Sequence, residues 1–180
     1  MGKNHWLAII PCVALIGLEA CTSPAAIESG DIPAPLRVPP NETLTQRVHA
    51  EGVQIYQCTA SKGDAARFEW LLKAPEAALF DHSGKQMGRH FAGPTWEARD
   101  GSKVVGEVAA RATPDPGAIA WLLLNAKSTS GSGVFSSVRY VQRLRTVGGN
   151  APADGCDQAA AGTEVRVRYS AEYWFYADKS

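Results

Sequence analysis

Over residues 164–175 apolar and polar side chains alternate without a break. Val165, Val167, Tyr169, Ala171, Tyr173 and Phe175 fall on one side, and Glu164, Arg166, Arg168, Ser170 and Glu172 on the other. A period of two places successive side chains on opposite faces of a strand, whereas a helix would scatter them around its axis. A chain with such a segment must supply a sheet with one face buried, and the preceding residues offer further strands. Residues 44–50 alternate in the same way, Glu51-Gly52 reads as a turn, and residues 53–58 read as the return strand of a hairpin. Residues 68–73 form a third strand that Ala74-Pro75 ends, and residues 103–111 another, with Gly106 marking a bend or bulge. Residues 119–124 are continuously apolar, as in a strand covered on both faces. In residues 138–147 the pattern turns Val138, Tyr140 and Leu144 inward and Arg139, Arg143 and Arg145 outward. The helical candidates, residues 75–78 and 157–161, are short. The expected fold is all-β: a single antiparallel β-sandwich or flattened barrel of about 8–10 strands with little helix.

The first residues direct the chain elsewhere. A lysine-bearing start is followed by an uncharged apolar run over residues 6–18, too short for a ~30 Å hydrocarbon core that needs roughly 20 residues. Residues 1–20 therefore read as a signal peptide. Leu18-Glu19-Ala20-Cys21 resembles a lipoprotein cleavage box with Cys21 as the acylated residue, although Glu19 departs from the small or neutral residue usual before the final alanine. Residues 21–40, rich in proline and small side chains, read as a flexible tether, and residues 41–180 as one β-domain. The expected location is beyond the inner membrane, as an outer-membrane lipoprotein or a periplasmic or extracellular protein, with membrane association only through a lipid on Cys21.

Of four cysteines, Cys12 leaves with the signal and Cys21 takes the lipid. Cys58 and Cys156 remain, in an oxidising compartment and without CxxC spacing, so a disulfide between them is expected. Eighteen basic and eighteen acidic residues give no net charge, which removes the electrostatic argument for nucleic acid.

Residues 84–107 hold most of the unusual polar chemistry. His90, Trp96, Glu97 and Asp100 are the candidate ligand-binding residues there, and His90 with Glu97 forms a weak candidate for metal binding or acid–base chemistry. No HxH, HExxH, GxSxG, phosphate-loop or dinucleotide pattern occurs, so no catalytic residue and no cofactor is expected. Arg139, Arg143, Arg145, Arg166 and Arg168 read as a solvated outer face.

The segments VPPNETL, GVQIYQC, KAPEAALFD, GRHFAGPTWEARDGSKVVGE, AIAWLLL, YVQRLRTVGGNAPADGCD and GTEVRVRYSAEYWFY resemble the family known as domain of unknown function 3455, over residues 38–176. The resemblance implies a single extracytoplasmic domain of bacterial and fungal type and the pairing of Cys58 with Cys156; it brings no activity and no catalytic residue. The expected role is binding of a small molecule, a glycan or an envelope partner, or a structural role in the envelope. The alternative is a metal-dependent or acid–base enzyme using His90 and Glu97.

Overall fold

The computed structural model describes Gly2 and residues 31–179. The signal peptide, Cys12 and the acylation of Cys21 lie outside the described residues. Eight strands follow one another: β1 (Glu42–Ser61), β2 (Asp64–Phe80), β3 (Gln86–Phe91), β4 (Thr95–Ala98), β5 (Lys103–Ala112), β6 (Trp121–Ser130), β7 (Tyr140–Gly148) and β8 (Glu164–Asp178). Each pairs antiparallel with its successor, and β8 returns to β1, so the sheet closes into an up-and-down barrel. Closure around all eight strands makes the barrel, rather than the sandwich, the correct form of the expectation.

The alternation in β8 is realised as expected: Tyr169, Ala171, Tyr173 and Phe175 are buried in the barrel interior, while Glu164, Arg166 and Arg168 are exposed. Gly106 lies at a register shift between β5 and β6. The continuously apolar segment divides between two environments. Leu122 and Leu124 belong with the interior, and Leu123 with a second cluster on the outside of the wall.

Three expectations about where the chain turns or is free are corrected first. Glu51-Gly52 is not a turn, since β1 runs straight through it for twenty residues. Gly52 is instead a point of close strand approach: a Cβ there would lie 2.0 Å from the Glu76 carbonyl oxygen of β2. Ala74-Pro75 does not end its strand either; β2 continues to Phe80, with a register irregularity opposite Ile55 and Tyr56. Finally, residues 31–40 are not free chain. Ile32 and fully buried Leu36, in a short 3-10 turn at Ala34–Leu36, pack on Leu123, Leu144 and Trp174, and Gln142 donates a 2.6 Å hydrogen bond to the Leu36 carbonyl. The prolines that suggested a tether shape a cover for the barrel wall.

That cover reverses the reading of Tyr140, Arg143 and Leu144 on β7, whereas Val138 lies inward and Arg139 is exposed as expected. Leu144 faces outward beneath Leu36, and Arg143 shares the interior face with Val141, opposite Leu122 of β6 and Tyr173 of β8.

The two ends of the barrel differ. At the Lys103 and Ser130 end, the loop over residues 131–138 inserts Phe135, fully buried, 4.4 Å ring to ring from Phe175. At the opposite end, the Cys58–Cys156 disulfide, with a Cα–Cα distance of 5.4 Å, fastens the loop before β8 to β1. This is the expected bridge, although its first cysteine lies on β1 rather than on a second strand.

Candidate functional site

The β3–β4 hairpin is short because Gly93-Pro94 turns it after Phe91, with Gly93 at φ 129°, a left-handed value that glycine tolerates. β2 pairs with β3 only from Ala77 to Phe80, and β5 pairs with β4 only from Lys103 to Val105, beyond which Gly106 N–H donates to the Pro94 carbonyl. Both β2 and β5 continue toward the open end with no partner on these facing edges among the described pairings. Above the hairpin tip the wall therefore has a side opening.

A cavity of about 510 Å³ occupies this half of the barrel. Its walls are Leu72, Ala74 and Pro75 from β2, Val108 from β5, Leu122 and Leu124 from β6, and Ile119 and Ala120 from the loop before β6. Leu72 and Val108 are 54% and 41% exposed, so apolar surface continues to the rim. At the base, His90 stacks on Trp96 with centroids 4.5 Å apart and planes 14° apart, and Tyr173 meets both rings at 5.1 and 5.2 Å.

The polar groups of this cavity are few and specific. His90 Nδ1 donates to the Thr95 carbonyl at 2.9 Å, because a carbonyl can only accept, and this bond fixes the ring tautomer. Burial pushes the His90 pKa down to about 3, against the Thr95 bond and with the help of the nearby Arg143 charge, so the imidazole is neutral at physiological pH. Gln54 Nε2 and Trp96 Nε1 are buried without a hydrogen-bond partner. Arg143 donates from Nε and Nη2 to the Ala120 carbonyl at 3.0 and 2.8 Å and has no ion pair with a carboxylate among the described residues. Burial raises the Tyr173 hydroxyl pKa, with Arg143 opposing the rise. No acidic side chain lines the cavity, while Lys73 and Arg111 add positive charge at the mouth.

The four candidates from the sequence separate into two sets. His90 and Trp96 are register partners on the interior face and meet in the cavity. Glu97 pairs in register with Arg89 and faces outward, held by Lys103 at 2.9 Å and by Arg89, and these two bonds set its pKa below the usual range. His90 and Glu97 therefore cannot share a metal ion or a proton, and among the described residues no group of three His, Cys, Asp or Glu side chains is placed to hold a metal. Asp100 organises the closed end: it accepts from Ser102 N–H and Oγ–H and from Val134 N–H, beside the Phe135 plug. The Ser102 hydroxyl bond is the main reason its pKa is lowered.

Sequence reasoning passed over Gln54 and assigned Arg143 to the solvated outer face. The apolar residues on both faces of β6 were the available sign that the outer wall is covered, and hence that an arginine on β7 need not face solvent.

One family model, described as protein of unknown function (DUF3455), matches residues 39–177. No curated protein and no solved structure matches the chain.

Proposed function

The chain belongs to the DUF3455 family, and we propose that it is a binding protein of the cell envelope that takes up a small, largely apolar molecule through the opening between β2 and β5. The observation that carries this reading is the cavity of about 510 Å³, walled by apolar side chains and lined by a few polar ones, His90, Gln54 and Arg143 among them. An eight-stranded barrel has room either for its own side chains or for one small ligand, and ligand cavities combine apolar walls with a few fixed polar groups. Export through the signal-like residues 1–20, with or without a lipid on Cys21, fits a protein carrying a disulfide. The separation of His90 from Glu97 leaves the acid–base and metal alternatives without an assembled site.

The test uses the neutral fluorophore N-phenyl-1-naphthylamine, read by its emission and by quenching of tryptophan. Binding at one site is expected, with at least about a tenfold loss in Ala74→Trp, where a large ring fills the mouth. No saturable binding by the unmodified protein, or equal binding by the variant, would overturn the proposal.

A further inference from the structure

The charge inventory of the cavity is one-sided. Arg143, Lys73 and Arg111 are cationic and no carboxylate lines the walls, while the other polar groups, His90, Gln54, Asn150 and Tyr173, are neutral and can both donate and accept. Arg143 is half-buried, and its guanidinium is engaged by neutral groups, the Ala120 carbonyl and the Tyr173 hydroxyl. His90 adds no second interior cation, because its ring is neutral. A guanidinium taken partly out of water without a counter-ion loses hydration that only a negative acceptor restores fully. Its planar fork fits a carboxylate in two-point contact. Lys73 is already engaged by Glu164, which leaves Arg143 as the cation facing the interior and Arg111 as an exposed one at the mouth.

We infer that the ligand is an amphiphilic carboxylic acid, its carboxylate held by Arg143 and its apolar part lying among Leu72, Pro75, Val108 and Leu122. The inference rests on the cavity being a binding site, and it adds the sign and chemistry of the ligand. The exposed apolar rim at Leu72 and Val108 fits a molecule whose tail enters sideways between two strands rather than along the barrel axis.

The experiment displaces bound N-phenyl-1-naphthylamine with decanoate or with 1-decanol, which share a tail and differ in the head group. Decanoate is expected to displace the fluorophore at a concentration about tenfold to a hundredfold lower than decanol, the range for a hydrogen bond to a charged group. Arg143→Gln is expected to bring the two within about threefold while the neutral fluorophore still binds, and Arg168→Gln, on the exposed face of β8 and outside the cavity, to leave the preference in place. Equal displacement by both in the unmodified protein, or a preference that survives in Arg143→Gln or disappears in Arg168→Gln, would overturn the inference while fluorophore binding leaves the cavity reading intact. Absence of fluorophore binding would instead remove the cavity reading itself. Should Arg143→Gln fail to fold, lowering the pH of the unmodified protein through the carboxyl range near about 4 to 5 protonates decanoate and must erase its advantage; an advantage that persists overturns the inference.

Discussion

Acidification from pH 7 to pH 5 is expected to remove about 2 kcal/mol of folding stability through His90 alone. The ring is 3% exposed, its Nδ1 is engaged by the Thr95 carbonyl, and its pKa falls from 6.5 to about 3 on folding. A histidine depressed in this way contributes stability that is complete above its unfolded value. The contribution drains away as pH falls from about 6.5 toward about 3, because only the unfolded chain takes up the proton in that window. At pH 5 the loss covers one and a half pH units at about 1.4 kcal/mol each, and it is insensitive to the folded value provided that value lies below 5. The carboxylates with lowered pKa, Asp81, Glu97 and Asp100, act in a separate window: their contribution is present above the ordinary carboxyl range and is lost only below about pH 4. Urea unfolding followed by tryptophan emission at pH 7, 6 and 5, with the disulfide kept oxidised, measures the slope. His90→Phe keeps a ring against Trp96 and loses the bond to Thr95, a pH-independent cost of about 1–3 kcal/mol. Relative to the unmodified protein, the variant should be nearly flat across this range. An unchanged pH dependence in His90→Phe, or none in the unmodified protein, would refute the claim that the imidazole is sealed in its neutral form.

The outer cover and the disulfide can be tested in the same assay. Leu36→Ala should cost about 2–5 kcal/mol, because a fully buried leucine is lost from the cluster with Leu144 and Trp174; a change below about 0.5 kcal/mol would mean that residues 31–38 are not docked. Replacing Cys58 and Cys156 together by serine should cost about 4–5 kcal/mol in the chain-entropy account for a separation of 98 residues, read as a lower urea midpoint. A midpoint equal to that of the oxidised protein would show that the closing loop contributes nothing to the stability of the unmodified chain.

The fold was legible wherever one face of a strand meets water, as in β8, where alternation has a single meaning. It was ambiguous wherever both faces are covered. On β7 the apolar Leu144 and the cationic Arg143 obey the period of two equally well whichever of them points inward. Only the docking of residues 32–36, a contact remote in sequence, decides the matter. Glycine carried a similar ambiguity. Gly52 looked like turn punctuation, but the missing Cβ serves the close passage of β1 by Glu76 and Ala77. The disulfide was readable because elimination left two cysteines. Of the candidate site, His90 and Trp96 were found through their unusual composition, whereas Glu97 and Asp100 came with them only by being close in sequence. Strand geometry separates such neighbours, since His90 and Glu97 occupy opposite faces of one hairpin.

A barrel of eight strands has no spare volume if every layer is filled by large side chains. Here the filling is uneven. Trp96, Phe135, Tyr173 and Phe175 crowd the closed end and the middle, and the aromatic contacts among them lie between 4.4 and 6.0 Å. Toward the open end the lining turns to small residues, Ala74, Pro75, Ala92, Gly93, Pro94 and Ala120, and the β3–β4 hairpin stops short. The larger apolar side chains of this half, Leu72, Val108, Ile119 and Leu122, line the space without filling it, and the Arg143 guanidinium belongs to the same lining. Apolar volume alone would be compatible with a loosely packed interior. A half-buried guanidinium in its lining, bonded to a neutral carbonyl and to no carboxylate among the described residues, loses hydration that an anionic acceptor restores, and this pairing of apolar volume with a cation is what the proposed carboxylate ligand answers.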